Sequence, residues 1–484
     1  MKILSNRGYS VLKSSIDASE LVKIKADLTV TPLGHPDFPP LNSFGVYEET
    51  DKYIRLPVAY ANMRLGKCDN NLLASVPMNV PFVGKLRPAQ VEPCNTAVSH
   101  LQDQGRGILC LVTGGGKSIS ALWIASQLGQ KTLVIVHKRT LLEQWRDEIA
   151  KVMPSARVGI FRQSKSEYGN DFDITIAMWH TVLRRTGVPP AWGTVIMDEC
   201  HRVCSKEFSQ VMFKVNSSHV LGLSATPERG DGLDCVLEWH LGPVIHRQAP
   251  VQRSQLKTIV HFCKWYDPGF AMLGGGGRDF VKTLSYIVTS EERNDYIMEC
   301  IDKIMKRDDA SQRRLLLLTN RVGHAKELYL RLKKHQKDAG RPETVGLCVG
   351  TCKTKELVEA KKCDMIVATY ALFEEGESVE HLNTIIFCTP KRNVTQALGR
   401  IFRKRHEICP LVIDVADTIF AGQMWSRLKT YRLETKGHLV ISFFDHKMNE
   451  IKKDNRDGNE DEGDDTTKKS STIDTTPWIM ELED

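Results

Sequence analysis

Two short runs in this chain carry residue types that could act on a phosphate. The first is Thr113-Gly114-Gly115-Gly116-Lys117-Ser118. Glycines there let successive backbone N–H groups curl round phosphate oxygens, and a following helix turns its partially positive end toward the same anion. Lys117 would reach the β- and γ-phosphates of a nucleotide, and the Ser118 hydroxyl would ligate Mg²⁺. The apolar run 107–111 precedes this loop and the helix-like run 119–125 comes after it, which is the context such a loop needs. Leu111 stands where the strict pattern opens with glycine. The second run is Asp198-Glu199-Cys200-His201, directly after the strand-like residues 194–197. A carboxylate at the carboxyl end of a strand lies in the crevice where open α/β sheets bind ligands. Asp198 would hold Mg²⁺ through its water shell, and Glu199 would orient or deprotonate an attacking water. Two acids opening an ordinary helix are the alternative.

A third set lies far downstream. Gln396, Arg400 and Arg403 fall at i, i+4 and i+7, so a helix presents them on one face. Two guanidiniums and an amide there could reach across a cleft to a γ-phosphate. Such an arginine finger is worth about 10³ or more in rate, and it makes hydrolysis depend on two domains closing. An ordinary basic helix is the competing explanation. Lys404, Arg405 and His406 read as its solvated extension.

These groups need a frame that holds them together. From 86 to 247, apolar runs at 107–111, 132–136, 174–178, 194–197 and 219–223 alternate with helix-like stretches. The alternation resumes over 291–449, with apolar runs at 315–318, 365–368, 384–387 and 411–413. Short β-branched runs with intervening amphipathic stretches predict parallel sheets wrapped by helices. The expected class is α/β, with two tandem parallel-sheet units. Residues 1–85, with short alternations and Pro and Gly punctuation, predict a small mixed or β-rich accessory module that could bind DNA. Residues 248–290, containing Gly274 to Gly277, read as a linker or insertion. Residues 450–484 read as an acidic, disordered tail.

Bulk composition narrows the partners. The chain has 484 residues and a formal net charge of +7. Residues 454–484 carry eleven acids against three bases, a net of −8, which leaves the rest at +15. A basic body suits something that tracks a phosphate backbone, although lysine-rich solvation gives the same sum. The thirteen cysteines are scattered, mostly in apolar runs, without the paired spacing of a zinc site. No apolar run approaches the ~20 residues of a membrane span, and the first residues lack the apolar stretch of a secretory signal. An intracellular protein without a membrane is expected.

Taken in order, the glycine-lysine-serine loop, Asp-Glu-Cys-His, Ser224-Ala225-Thr226 and Gln396-x-x-Gly399-Arg400-x-x-Arg403 resemble superfamily 2 helicases. The resemblance implies two RecA-like domains with ATP and Mg²⁺ between them. It implies that Ser224 and Thr226 couple the metal site to strand movement and that His201 links ATP to that element. Leu86-Arg87-Pro88-Ala89-Gln90 is similar to the family's adenine-reading segment, which puts Gln90 on the base with Arg87 beside it. Lys138, Arg139 and Thr140 resemble its first strand-gripping motif and are suited to phosphates. Ala368-Thr369 with Gly376 resembles the contact made by the second domain. Ser378 stands where many relatives carry an acid and receives no role. On residue types alone, each of these positions also suits a solvated surface.

The run Thr226-Pro227-Glu228-Arg229-Gly230-Asp231-Gly232, succeeded by Gly242-Pro243, resembles the XPB-like branch, which makes Arg229 and Asp231 nucleic-acid contacts. Within that branch, residues 26–32, 389–393 and 413–418, and Arg427 with Tyr431, resemble the DNA helicases of large cytoplasmic DNA viruses, of the poxvirus and African swine fever virus type. The resemblance implies ATPase activity stimulated by duplex or forked DNA, 3′-to-5′ translocation by a monomer, and transcript release beside a viral RNA polymerase or its transcription factors. The location implied is the host cytoplasm, with packaging in the virion. An RNA helicase sharing the same motor is the main alternative, then a restriction-type translocase subunit. A docking protein with a decayed ATPase fits poorly with intact Lys117, Asp198, Glu199, Arg400 and Arg403.

Overall fold

The structure is a computed structural model. It describes residues 1–33, 42–73, 76–112, 115–185, 192–225, 231–248, 258–265, 280–341, 344–373, 379, 381–401, 406–435 and 438–457. The expected site residues Thr113, Gly114, Thr226, Arg229, Gly376 and Arg403 lie outside these, as does most of the acidic tail. Arg400 is described in its backbone only.

The first 73 residues form a five-stranded sheet in the order Glu48–Glu49, Tyr53–Leu56, Gly8–Leu12, Lys2–Ser5, Asn70–Asn71. Alternation along Tyr53–Leu56 and Gly8–Leu12 sends Tyr9, Val11, Ile54 and Leu56 to one face, where they meet Ile24, Leu28, Val58 and Tyr60 from two helices. Trp239 of the next unit joins this cluster, edge-on to Tyr60 at 5.8 Å between ring centres. Asn216 completes the junction by donating its backbone N–H to Asn6 O and its Nδ2 to Ser5 O.

The second sheet has eight strands. Their order is Lys165–Ser166, Val158–Arg162, Ile174–Met178, Thr132–Val136, Thr194–Asp198, His219–Ser224, Arg106–Cys110, Val244–Arg247. All neighbours are parallel except the hairpin Val158–Arg162 with Lys165–Ser166. The strands Arg106–Cys110, Thr132–Val136, Ile174–Met178 and Thr194–Asp198 are buried at every residue, as expected of a parallel sheet covered on both faces. Each fully buried Val, Leu or Ile contributes about 1.5–3 kcal/mol. Helix Pro88–Gln104 starts with proline at its first turn and stops at Gly105, whose φ of +76° suits a residue without Cβ.

The third sheet also has eight strands, in the order Val345–Cys348, Met365–Thr369, Leu315–Thr319, Thr384–Phe387, Leu411–Asp417, Thr258–Trp265, His438–Phe444, Glu450–Asp457. Only the last pair is antiparallel. The α/β class with two RecA-like parallel-sheet domains is what the chain adopts. Two stretches differ from their sequence reading. Thr258–Trp265, read as part of a linker, is a strand between Leu411–Asp417 and His438–Phe444. Glu450–Asp457, read as the start of the tail, pairs with His438–Phe444 and covers what would otherwise be a bare edge. Both depend on partners distant in sequence, which local composition does not reveal. Among the described residues no helix is long and apolar enough to cross a membrane.

Candidate active site

A parallel sheet brings all its carboxyl ends to one rim. In the second sheet, Cys110, Val136, Asp198 and Ser224 therefore end neighbouring strands on the same side. The chain leaves Cys110 through the glycine loop and enters helix Lys117–Leu128. It leaves Asp198 through Glu199. Topology alone thus juxtaposes the two runs with phosphate chemistry.

Lys117 Nζ lies 3.2 Å from Glu199 Oε1, with both side chains mostly buried. Glu199 sits at φ +50°, ψ +54°, the left-handed region that a residue with a Cβ rarely adopts. A strained residue of this kind costs on the order of 1–3 kcal/mol and needs its surroundings to hold it. Its second oxygen, Oε2, is buried without a hydrogen-bond partner, 3.5 Å from His201 Nδ1. Burial alone would raise the Glu199 pKa, but Lys117 and then His201 outweigh it and hold the carboxyl below its ordinary value. Asp198 goes the other way: burial, reinforced by the Glu199 charge, raises it.

Asp198 is gripped from two sides. Trp145 donates its indole Nε1–H to Asp198 Oδ2 at 2.9 Å, and the Glu199 backbone N–H donates to Oδ1 at 3.0 Å. Trp145 is 1% exposed, on helix Arg139–Val152. Its part in the site was missed in the sequence. The signal available was a tryptophan on the buried stripe of a strongly amphipathic helix, a pattern that ordinary core packing explains equally well.

His201 Nδ1 is 3.3 Å from Ser224 Oγ, so the acidic run and the strand His219–Ser224 are in direct contact. Gln90 is 3% exposed and turned inward. It accepts from Arg87 N at 2.9 Å and donates to Ser120 Oγ at 2.9 Å and Gly116 O at 3.1 Å. Its amide thereby clamps the start of helix Lys117–Leu128 to helix Pro88–Gln104. Gly116 has φ +81°, and a Cβ there would come within 2.6 Å of Gln90 Nε2. Only glycine fits.

The proposed nucleic-acid residues are arranged less tightly. Lys138, Arg139 and Thr140 open helix Arg139–Val152 just past Val136. Arg139 and Thr140 are exposed, and Arg139 pairs with Glu143 at 2.9 Å. Lys138 Nζ donates to Ala371 O at 2.8 Å and so crosses to the unit built on the third sheet. Asp231 is half-buried and accepts from Leu233 N at 3.4 Å. Thr369 is 6% exposed, at the carboxyl end of Met365–Thr369. Gln396 and Arg400 share helix Thr395–Ile401, and Gln396 is half-buried.

No cluster of three or more His, Cys, Asp or Glu side chains suited to a metal occurs among the described residues. Mg²⁺ in nucleotide sites needs no such cage, since one or two carboxylates plus phosphate oxygens and waters suffice. Asp198, with both oxygens held by donors that leave a lone pair each, fits that donor set.

Comparison with known proteins agrees with this layout. The family described as Type III restriction enzyme, res subunit, matches residues 84–229. A protein of Acanthamoeba polyphaga mimivirus, named as a proposed ATP-dependent RNA helicase, is 28% identical over 425 residues, covering 85% of this chain and 80% of that protein. An African swine fever virus protein with the same kind of name, from a Malawi tick isolate, is 27% identical over 377 residues, covering 70% of this chain and 71% of its own. A fragment of an HsdR subunit of a type I restriction enzyme from Vibrio vulnificus superposes with a TM-score of 0.56 at 15% identity, covering 77% of this chain and 71% of that one, which speaks to the fold. With Lys117 and the acidic pair meeting at one rim of a RecA-like sheet, the chain is an enzyme of the ATP-dependent helicase class, homologous to helicases of large DNA viruses.

Proposed function

We propose that this enzyme is a DNA-stimulated motor of the XPB-like branch, which hydrolyses ATP at the Lys117–Glu199 rim and acts in viral transcription or DNA remodelling. The observation that carries the reading is the meeting of Lys117, Glu199 and the doubly held Asp198 at one rim of the second sheet, where Arg106–Cys110 and Thr194–Asp198 flank His219–Ser224. Glycines 114–116 and the start of helix Lys117–Leu128 would cradle the phosphates, and Lys117 would leave Glu199 for the γ-phosphate. Ser118 and Asp198 would hold Mg²⁺, which supplies charge neutralisation on the phosphate oxygens. Glu199, kept ionised by its neighbours and with no hydrogen bond to Oε2, would take the proton of the attacking water. His201 and Ser224 would pass the state of this carboxylate to the strand that leads to Thr226. Gln396, Arg400 and Arg403 would complete the site from the second domain.

DNA as the track is supported by the Thr-Pro-x-Arg-x-Asp-Gly run at 226–232 and by the basic body. Lys138, Arg139, Thr140, Arg229, Asp231, Thr369 and Gly376 are the contacts proposed. Transcript release beside a viral polymerase, in the host cytoplasm, belongs to the same reading. RNA is a second reading, favoured by the names that the mimivirus and African swine fever virus relatives carry. An ATPase assay with matched single-stranded, duplex and forked DNA and RNA decides. Stimulation by DNA, in single strands and duplex alike, is expected. Stimulation by RNA alone would replace the DNA reading with the RNA one.

A further inference from the structure

The segment 389–394 leads directly into helix Thr395–Ile401, which carries Gln396 and Arg400. It contains no regular structure, yet it is gripped from three directions. Tyr370 donates its hydroxyl to Thr389 O at 2.9 Å, and Lys391 Nζ lies 4.6 Å above the centre of the Tyr370 ring. Asn320 donates its backbone N–H to Thr389 Oγ1 at 2.9 Å and its Nδ2 to Pro390 O at 2.8 Å. From beneath, Arg427 Nη1 donates to Lys391 O at 2.9 Å.

Arg427 is itself fixed. Its Nε and Nη2 form a two-pronged pair with Asp414 at 2.7 and 2.6 Å, and Tyr431 donates its hydroxyl to the same carboxylate at 2.7 Å. Asp414, Arg427 and Tyr431 are at most 2% exposed. The rings of Tyr370, Phe387 and Tyr431 stack in a row, with centres 6.2 and 6.4 Å apart. A buried ion pair of this kind gains little stability over well-packed apolar side chains. What it supplies is a fixed geometry, here for the backbone at Lys391.

The other end of the arrangement reaches the first domain. Tyr370 comes directly after Thr369, and the next residue, Ala371, accepts from Lys138 Nζ. Thr369 and Lys138 are both proposed nucleic-acid contacts. One continuous set of contacts therefore joins the surface proposed to hold nucleic acid to the helix proposed to complete the nucleotide site.

We infer that Tyr370, Asp414, Arg427 and Tyr431 are positioning residues, which set the segment 389–394 so that helix Thr395–Ile401 presents its polar groups to the nucleotide when nucleic acid is held. The inference rests on the proposed role of Gln396 and Arg400. Tyr370→Phe and Tyr431→Phe each remove one hydroxyl and keep the ring. The test measures kcat and KM for ATP in the full chain with and without duplex DNA, alongside binding of a fluorescent ATP analogue and thermal melting. Each variant is expected to lose about tenfold in DNA-stimulated kcat, short of the ~100-fold that a misplacement of ~1 Å can cost. KM for ATP and analogue binding should stay within about twofold, because the wall bearing Lys117 is untouched. A purely structural role would lower the melting temperature and leave kcat per folded molecule unchanged, which overturns the inference. Should Tyr431→Phe fail to fold, Tyr370→Phe and Lys391→Met, which act on the segment itself, decide in its place. Arg400→Ala separates the two levels. Full turnover in that variant overturns the site reading. Loss of turnover there, with parental rates in the tyrosine variants, overturns only the positioning role.

Discussion

Lys117 Nζ and Glu199 Oε1 stand 3.2 Å apart, a cation and an anion that are both proposed to act on the same nucleotide. On that proposal each holds the other in place, and a bound γ-phosphate would compete for the lysine. Lys117→Ala should abolish ATP turnover by weakening nucleotide binding as well as chemistry. Glu199→Gln should keep nucleotide affinity and lose the chemical step, by at least the roughly 10²–10⁴-fold that a general base contributes. Turnover assays and analogue binding on both purified variants check this, and normal turnover in either would remove the site assignment.

Trp145 offers a second handle on the same carboxyl pair. Trp145→Phe keeps a ring in the core but deletes the donor to Asp198 Oδ2. A hydrogen bond to a charged group is worth about 1.5–3 kcal/mol. The variant should need roughly tenfold more Mg²⁺ for half-maximal turnover, since about 1.4 kcal/mol is a factor of ten. A Mg²⁺ titration of ATPase rate reads this out. An unchanged midpoint would mean that the indole only packs.

Gly116→Ala meets two obstacles at once. The backbone is at φ +81°, and the new methyl would press on Gln90 Nε2. Placing alanine at positive φ costs on the order of 1 kcal/mol or more. Combining Gly116→Ala with Gln90→Ala should relieve the clash and leave the backbone strain, so the double variant should recover part of the lost stability. Thermal melting of the single and double variants checks this.

Burial pushes the imidazoles of His240 and His324 down to about 3, with Arg106 and Arg293 respectively adding to the effect. His324 is satisfied in its neutral form, 2.7 Å from Thr319 Oγ1 and 2.9 Å from Asn294 Oδ1. In the unfolded chain histidine titrates near about 6.5. Below that value the unfolded state takes up a proton that the folded state refuses, so stability is full above about pH 6.5 and falls as pH drops toward about 3. The slope is about 1.4 kcal/mol per pH unit for each histidine. Urea unfolding at pH 7, 5.5 and 4.5 should show the loss, and His324→Gln should flatten the profile. An equally steep profile in that variant would place the effect elsewhere.

Much of this molecule can be read from local pattern. The apolar runs at 132–136, 174–178 and 194–197 become central strands because a strand buried on both faces must be apolar throughout. That Lys117, Asp198 and Glu199 come together could be expected, because a parallel sheet sends residues at strand ends to a common rim. Edge strands were harder. Val158–Arg162 alternates in burial, and its neighbour Lys165–Ser166 is two exposed residues, so neither stands out. Thr258–Trp265 was hidden among glycines and prolines, and only its far-off partners make it a strand. The inward turn of Gln90 and the grip of Trp145 on Asp198 are side-chain contacts across packed helices, which spacing along one chain cannot express.

The insertion of Thr258–Trp265 between Leu411–Asp417 and His438–Phe444 has a consequence for biosynthesis. Among the described residues the first two sheets contain no strand beyond Arg247, so they can close while the ribosome is still at work on the remainder. Thr258–Trp265 emerges next but has no neighbour to pair with until more than a hundred further residues have been added. During that interval an apolar strand waits with both edges bare, and a nascent chain in that state invites chaperones or pairing with a second copy. Slowing translation just past residue 265 should therefore depress the yield of active protein more than the same pause placed just past residue 444.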